Sequence, residues 1–280
     1  MSECTHDCSS CSENCAQRDP ASFRVQLNDA SHIKLIVGVL SGKGGVGKSL
    51  VTSLVAAKLA KEGYKVGVLD ADVTGPSMAK SFGISEKAYQ MDNLILPAKT
   101  KTGIDVISTN MLLENEEDAI LWRGSLISSL VQQFYKDVRW EEKDVLLIDM
   151  PPGTGDVSLT TFQSIPVDQL IIVTTPQDLV SMIVKKSINM AKEMNINVLG
   201  LVENMSYVVC PKCDEKIYIY GNKAKEEIEK QYELPLLARI PFDGEMTSLI
   251  DEGKVEYINK DYVDELVYKI EEKLKEKEEK

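Results

Sequence analysis

The feature that most constrains the fold of this chain is a glycine-rich run at residues 42–49, GKGGVGKS. It satisfies the pattern G-x-x-x-x-G-K-[ST] and lies between an apolar run, IKLIVGVLS, and a helical segment, SLVTSLVAAKLA. Glycines let backbone N–H groups turn inward around an anion, and the N-terminus of the following helix adds partial positive charge. A glycine-rich turn that binds no ligand does not require the Lys-Ser pair that ends this motif.

We therefore predict a nucleoside triphosphate site in this loop. Lys48 would contact the β and γ phosphates, and Ser49 would bind Mg²⁺. The residues that we expect to contact the nucleotide are Gly42, Lys43, Gly44, Gly45, Val46, Gly47, Lys48, Ser49 and Leu50.

Short apolar runs alternate with amphipathic segments along most of the chain. The runs IKLIVGVLS, KVGVLDAD, DVLLIDM, QLIIVTT and VLGLVEN are typical of strands that are buried on both faces. Segments between them, such as DLVSMIVKKSINMAKEMN, have apolar residues at helical spacing. We predict an α/β fold with a mostly parallel sheet and helices on both faces. The run LILPAKTKTGIDVIST favours a hairpin or an edge pair of strands.

Composition divides the chain into a tail and one domain. Residues 1–30 are rich in Ser, Asp, Asn and Cys and show no apolar period, which indicates a flexible tail. We predict one P-loop domain over residues 31–280. It ends in a helix whose apolar positions are Val263, Leu266, Val267, Ile270 and Leu274.

Carboxylates follow two of the predicted strands. Asp70 and Asp72 end the run KVGVLDAD, and Asp149 follows DVLLI. Because the carboxyl ends of parallel strands meet at one edge of the sheet, we expect Asp72 and Asp149 near the phosphate loop. Asp149 would be the Walker B acid that holds the water shell of the metal, and Asp72 the switch I carboxylate. For Asp70 two roles stay open, one in the site and one as a helix cap or turn residue.

Charge and hydropathy exclude several classes of partner. The chain of 280 residues has a formal net charge of -12 and no basic stripe, so we expect no nucleic-acid partner. No apolar run approaches the roughly 20 residues of a membrane span, and the N-terminus lacks the pattern of a signal peptide. We expect a cytoplasmic protein that does not bind membranes.

The six cysteines fall into two groups, and both are candidate metal sites because structural disulfides do not persist in a reducing compartment. Cys210 and Cys213 form a Cys-Pro-Lys-Cys knuckle with the spacing of zinc or iron-sulfur ligands. Two thiolates cannot fill a four-coordinate site, but a two-fold dimer would bring two such pairs together. A redox pair and a zinc site completed by dimerisation stay open. The second group, which could hold a cluster, zinc or nothing stable, is Cys4, Cys8, Cys11 and Cys15.

Several strings together resemble a known family. The additional lysine of the loop, Lys43, makes GKGGVGKS similar to the deviant Walker A ATPases, which include MinD, ParA and the nitrogenase iron protein. VLDADVTGPS, LLIDMPPGTGD, VTTPQD, VENMSY and RIPFD, with the later CPKC, resemble the Mrp/ApbC group of iron-sulfur cluster carriers. The resemblance runs from about residue 33 to residue 251.

The resemblance implies slow, Mg²⁺-dependent hydrolysis of ATP by a homodimer that delivers [4Fe-4S] clusters to apo iron-sulfur proteins. It implies that Lys43 contacts nucleotide across the dimer, that Asn204 contacts the adenine edge, and that the segment at Pro241 packs on the base. Cys210 and Cys213 would hold the bridging cluster. With only two histidines in the chain, neither in a motif, catalysis would depend on positioning and electrostatics. The residues expected to supply it are Lys43, Lys48, Asp72 and Asp149.

Two other functions remain alternatives. A positioning or partition ATPase of the MinD/ParA class would act on a membrane or on DNA. It would need a basic amphipathic helix or a basic face, and it would leave the cysteines without a role. A P-loop ATPase dimer stabilised by zinc would use the same cysteine pair.

Overall fold

The fold is built on one large sheet whose strands follow the apolar runs of the sequence. The computed structural model describes residues 23–73, 75–112, 124–177 and 181–279. Its strands are β1 (Ser31–Ser41), β2 (Val66–Asp70), β3 (Tyr89–Met91), β4 (Leu94–Leu96), β5 (Ala98–Lys99), β6 (Asp105–Ile107), β7 (Glu141–Asp149), β8 (Gln169–Thr174), β9 (Asn197–Glu203), β10 (Val208–Val209), β11 (Lys216–Ile217) and β12 (Leu236–Arg239).

Eight of these strands form the central sheet, in the order β12-β9-β8-β1-β7-β2-β6-β5. All neighbours in it are parallel except β5, which runs antiparallel to β6 at one edge. The mostly parallel sheet is therefore confirmed. Two antiparallel pairs, β3 with β4 and β10 with β11, stand apart from it.

Helices connect the strands and cover the sheet. Within the described residues they are α1 (Lys48–Lys61), α2 (Met78–Ser81), α3 (Gly124–Lys136), α4 (Asp156–Ser164), α5 (Ser181–Glu193), α6 (Lys225–Tyr232), α7 (Gly244–Asp251) and α8 (Asp264–Glu278). The predicted C-terminal helix is α8, and its apolar positions Leu266, Val267, Ile270 and Leu274 are buried. None of the helices described is both long and apolar enough to cross a membrane.

Alternation along β1 divides the core into two layers. Val37 and Val39 belong to a cluster with side chains of α1 and α8, whereas Ile36 and Leu40 belong to a cluster with side chains of α3. Successive side chains of a strand point to opposite faces, so each face of the sheet packs against its own helices. Helices on both faces are thus confirmed. That residues 31–280 form a single domain stays a prediction.

The run LILPAKTKTGIDVIST forms both of the structures that its pattern favours. Its first residues are β4, which pairs with β3 across a turn where Asp92 has φ 52 and Asn93 has φ 64. Two adjacent residues with positive φ are typical of a tight hairpin turn. The later residues form the antiparallel edge pair β5–β6.

A buried ion pair lies near the amino ends of β6 and β7. Lys143 Nζ is 2.7 Å from Asp105 Oδ2, and only 6% and 2% of the two side chains are exposed. Lys143 also donates to the carbonyl of Trp140, whose ring is fully buried. Burial raises the pKa of Asp105, although Lys143 opposes that shift. The charged form of the Asp105 carboxylate therefore depends on Lys143 for its stabilisation.

We predict that Lys143→Met lowers the free energy of unfolding by about 3–5 kcal/mol, because Asp105 would be left buried without its closest cation. The control is Lys254→Met, which removes a pair of the same 2.7 Å length, Lys254 with Glu252, from an exposed position. Urea unfolding at pH 7 measures the free energy of unfolding of both variants. Equal midpoints for the two variants would contradict the assigned importance of the buried pair.

Candidate nucleotide site and cysteine hairpin

The phosphate loop, residues 42–49, connects the end of β1 to the start of α1 at the carboxyl edge of the sheet. Gly45 has φ 77 and Gly47 has φ 80, which is left-handed backbone. A Cβ at Gly47 would lie 2.1 Å from Asn204 Nδ2, so a side chain cannot be placed there. The loop therefore fits closely against the end of β9. Of the predicted contact residues, Val46 and Lys48 are buried, Gly44 and Gly45 are exposed, and Gly42, Lys43, Gly47, Ser49 and Leu50 are half-buried.

A buried cluster around Asp149 joins the loop to the sheet. Asp149 is the last residue of β7 and is opposite Val39 of β1 in the parallel register. Its Oδ2 accepts hydrogen bonds from Lys48 Nζ and from Ser49 Oγ, both at 2.6 Å. Its Oδ1 accepts one from Thr52 Oγ1 at 2.7 Å. Lys48, Ser49 and Asp149, predicted as one site, are thus brought together.

Thr52 is a member of this cluster that the motif does not include. It is completely buried and lies four residues after Lys48. Residues at that spacing lie on the same face of a helix. This spacing was the signal in the sequence that could have identified Thr52.

The two carboxylates that end the second apolar run have different environments. Asp72 Oδ2 is 3.7 Å from Lys48 Nζ, so Asp72 lies beside the phosphate loop as predicted. Asp70 is completely buried, and its Oδ2 accepts from the backbone N–H groups of Ser77 and Met78 at the start of α2. Asp70 thus makes the contacts of a helix cap, and a role for it in the nucleotide site stays a prediction.

Asp70 also fixes the loop that carries Asp72. Its Oδ1 accepts from the backbone N–H of Asp72 at 3.2 Å, and Ser108 Oγ donates to its Oδ2 at 2.9 Å. Burial, followed by the negative charge of Asp149, raises the pKa of Asp70 to about 7. Lys48 and the hydrogen bonds lower it in part. Asp70 and Asp149 end the neighbouring strands β2 and β7, and of the two only Asp149 is paired directly with Lys48.

The side chains around Lys48 fit a magnesium site in their chemistry. The hydroxyl of Ser49 and the carboxylates of Asp72 and Asp149 are oxygen ligands, which Mg²⁺ prefers. Within the described residues no group of three or more His, Cys, Asp or Glu side chains could hold a metal ion by itself. A magnesium ion here would therefore need further oxygens from phosphate and water, as is usual for this ion.

The segment after Asp149, residues 150–156, lies against the phosphate loop. The backbone N–H of Gly153, which has φ 85, donates to the carbonyl of Ser41 at 2.7 Å. Ser158 Oγ donates in turn to the carbonyl of Gly153 at 3.1 Å. These two bonds join the end of β1 to the start of α4.

Lys43 contacts a residue of its own chain. Its Nζ donates to Gln177 Oε1 at 2.8 Å, and its carbonyl accepts from Ser41 Oγ at 2.9 Å. Gln177 follows the end of β8, in the string VTTPQD. No pattern in the sequence indicates a contact between Lys43 and Gln177. A role of Lys43 across a dimer stays a prediction.

The residues expected around the base lie beside the phosphate loop and at the end of β12. Asn204 is 3% exposed, and its Nδ2 donates to the carbonyl of Val46 at 2.9 Å. Its backbone N–H donates to the carbonyl of Thr174 at 2.8 Å. Pro241 is buried between β12 and α7. Asn204 thus holds the loop from the side of β9, and its contact with adenine stays a prediction.

Cys210 and Cys213 lie in the turn of the cysteine hairpin, which we define as β10, β11 and the residues between them. Cys210 is half-buried and Cys213 is exposed, and both are free thiols. The backbone N–H of Cys210 donates to the carbonyl of Glu215 at 2.9 Å, which closes the turn. The backbone N–H of Lys212, then the thiol and the N–H of Cys213, lower the pKa of Cys210. Such a turn favours a thiolate, the form that binds metal.

The second group of cysteines, Cys4, Cys8, Cys11 and Cys15, lies outside the described residues. A metal site at these four cysteines therefore stays a prediction.

A parallel sheet with a glycine-rich loop, a buried lysine and two strand-end carboxylates defines a P-loop NTPase. Residues 32–275 match the model of the ParA family, described as NUBPL iron-transfer P-loop NTPase. The chain belongs to this family. The expected family and fold are therefore confirmed.

Relatives of known name cover most of the chain. An iron-sulfur cluster carrier protein of Clostridium perfringens is 48% identical over 89% of this chain and 90% of its own length. The cytosolic Fe-S cluster assembly factor CFD1 of Candida glabrata is 42% identical over 82% of this chain and 84% of its own. Among solved structures, a nucleotide-binding protein of Archaeoglobus fulgidus in complex with ADP is 41% identical, with a TM-score of 0.74 over 82% of this chain and 90% of its own. The cell division ATPase MinD of Pyrococcus furiosus, 21% identical over 85% of this chain and 99% of its own with a TM-score of 0.58, shares the fold.

We predict that Lys48→Ala weakens binding of Mg-ATP by roughly 100-fold, because it removes the buried cation that the phosphates would contact. Calorimetry measures the affinity, and circular dichroism checks that the variant is folded. Lys80→Ala, at an exposed position on α2, is the control and should bind as the parent does. Unchanged affinity in folded Lys48→Ala would contradict the assignment of the loop.

Proposed function

We propose that this protein is an ATP-hydrolysing, homodimeric carrier of [4Fe-4S] clusters that delivers them to apo iron-sulfur proteins. Support comes from the names of relatives that are 48% and 42% identical and from the family to which the chain belongs. The cytosolic relative supports a cytoplasmic location.

The observation that carries the proposal is the position of the cysteine pair. Cys210 and Cys213 lie at the end of a hairpin that stands apart from the sheet, and no third cysteine, histidine or carboxylate of the described part of the chain completes a metal site with them. Four thiolates are the usual ligand set of a [4Fe-4S] cluster. A second copy of the chain, related by a two-fold axis, would supply the missing pair.

The surface around the hairpin also favours a second copy. Four large apolar side chains of the hairpin and the residues that follow it are 40% to 58% exposed, and they are Val209, Ile217, Ile219 and Tyr220. Phe242, beside them, is 42% exposed and donates its backbone N–H to Tyr207. Several large apolar side chains exposed within one short segment are common where a protein contacts another protein.

In the proposed ATPase, Lys48 holds the β and γ phosphates and Asp149 orients Ser49. Bound Mg²⁺ would neutralise charge on the phosphates, and the residues that would hold it and its water are Ser49, Asp72 and Asp149. Asn204 and the segment at Pro241 would select adenine. Lys43 would leave Gln177 and stabilise charge on the nucleotide of the partner copy. The N-terminal group, Cys4 to Cys15, would bind a second cluster.

We predict that Cys213→Ala abolishes cluster binding at the hairpin, because one substitution removes two of four thiolates from a symmetric site. The background is the full chain with Cys4, Cys8, Cys11 and Cys15 replaced by Ser, so that only the hairpin can bind. After anaerobic reconstitution, this parent should hold about four irons and four sulfides per dimer, with the absorption and EPR signals of a [4Fe-4S] cluster.

Three outcomes would be informative. Four irons in the parent and none in its Cys213→Ala variant support the carrier. Zinc that fills the site while iron never reconstitutes contradicts it and favours the zinc-stabilised dimer. A redox pair would form an intramolecular disulfide and bind neither metal. The control for folding is the affinity for Mg-ATP. Measured by calorimetry, it should be the same in the Cys213→Ala variant as in its parent.

We predict that Lys43→Ala slows ATP hydrolysis by at least about tenfold and leaves Mg-ATP affinity nearly unchanged, because a charge contributed across a dimer acts mainly on the transition state. Steady-state phosphate release and calorimetry give the two values. Lys185→Ala, at an exposed position on α5, is the control. A rate equal to that of the parent would exclude the proposed role of Lys43.

A further inference from the structure

Thr52 contacts the carboxylate at the centre of the nucleotide site from a position outside the loop motif. It lies in α1, one turn after Lys48, and is completely buried. We propose that Thr52 is a positioning residue, which holds Asp149 so that its Oδ2 faces Ser49 and the magnesium site. The proposal rests on the part of the proposed function that binds and hydrolyses Mg-ATP, and it is independent of iron.

The two oxygens of Asp149 have separate partners. Oδ2 accepts from Lys48 Nζ and from Ser49 Oγ, each at 2.6 Å. Within the described residues, Oδ1 accepts a hydrogen bond only from Thr52 Oγ1, at 2.7 Å. Because Asp149 is fully buried, solvent does not reach its oxygens and does not replace this donor. Thr52 therefore determines which oxygen of the carboxylate points toward the phosphate loop.

The hydroxyl of Thr52 has two acceptors within reach and one proton to donate. The carbonyl of Lys48, four residues earlier in the helix, is 3.1 Å away, and Asp149 Oδ1 is 2.7 Å away. Hydrogen bonds to a charged acceptor are shorter and stronger than those to a neutral one. The next residue, Ser53, instead donates to the carbonyl four residues before it, that of Ser49, at 2.8 Å. The proton of Thr52 is therefore donated to the carboxylate.

Binding of Mg-ATP would make Asp149 more dependent on Thr52. In the proposed ATPase, Lys48 contacts the phosphates, and the hydroxyl of Ser49 binds the metal. Both donors to Oδ2 then also interact with the ligand, whereas Thr52 is completely buried and stays bonded to Oδ1. Residues that hold metal-binding side chains by hydrogen bonds change metal affinity by roughly 10- to 100-fold when they are mutated. We therefore assign Thr52 to the use of Mg²⁺ and not to contact with the nucleotide.

The test separates binding of the metal from binding of the nucleotide. Calorimetry measures the affinity of the full chain for AMP-PNP, a non-hydrolysable analogue of ATP, once with excess Mg²⁺ and once with EDTA. Without the metal, the carboxylates of Asp72 and Asp149 repel the phosphates, so we expect Mg²⁺ to tighten binding to the wild type. The ratio of the two dissociation constants measures the coupling between metal and nucleotide.

Two variants remove the hydroxyl of Thr52. Thr52→Val keeps the shape of the side chain, and Thr52→Ala places no added methyl group against the carboxylate. We expect both to bind AMP-PNP in EDTA within about twofold of the wild type and to lose roughly tenfold or more of the affinity in Mg²⁺. Thr52→Ser retains the hydroxyl and should show the wild-type ratio.

The matched control is Thr161→Val, the same substitution at a buried threonine of α4. Thr161 Oγ1 donates at 2.8 Å to the carbonyl of Val157, four residues earlier in the helix. The control therefore removes an equally buried hydroxyl whose bond goes to a backbone carbonyl instead of a carboxylate. Circular dichroism checks that each variant is folded. If Thr52→Val does not fold, Thr52→Ala decides by itself.

A loss of affinity in Mg²⁺ but not in EDTA, with the wild-type ratio in Thr52→Ser and Thr161→Val, supports the proposal. An unchanged ratio in Thr52→Ala overturns it. An equal loss with and without the metal, or loss of folding in both variants, also overturns it, because a purely structural role gives these results. A wild-type affinity that does not depend on Mg²⁺ contradicts the magnesium site of the proposed function and the proposal with it. Failure of Thr52 alone would leave that site intact, so the two failures are distinguishable.

Discussion

The buried carboxylate of Asp149 is the group on which the arrangement of the site depends. It accepts from Lys48, Ser49 and Thr52, and these three donors all come from the first two turns of α1. A buried charge without partners is strongly destabilising, so these bonds hold α1 against the end of β7. The same bonds fix the end of the phosphate loop, because Lys48 and Ser49 begin the helix that follows it. The stability of this part of the fold and the geometry of the site therefore depend on one residue.

Much of the fold and the centre of the site could be predicted from the sequence, because both follow from short-range patterns. Runs such as VLLI are apolar at every position, which indicates strands covered on both faces, and the loop motif requires a strand before it and a helix after it. Parallel strands then bring Asp72 and Asp149 to the same edge without further information. The order of the strands was not part of the prediction, because it depends on contacts between distant segments.

The contacts that the sequence did not reveal depend on tertiary packing. Asp70 and Asp72 are equally polar and two residues apart, yet only the packing of α2 against the end of β2 makes Asp70 a cap. Gln177 and Asn204 follow different strands, and the register of β8 beside β1 and of β9 beside β8 brings them to Lys43 and to Val46. A propensity or a motif describes one segment at a time, so a contact between two loop residues from separate strands has no local signature.

The position of the cysteine hairpin follows from the same parallel topology. The hairpin begins a few residues after the carboxyl end of β9, and the carboxyl ends of parallel strands share the edge at which the phosphate loop lies. A single chain can thus join a nucleotide loop and a thiol pair through few residues, whereas a hairpin at the amino edge would need a path across the sheet. Glu203, the last residue of β9, carries the bond from Ser206 and the ion pair with Arg239, so the strand end itself supports the connection. The parallel topology therefore places the nucleotide loop and the thiol pair at one edge of the sheet.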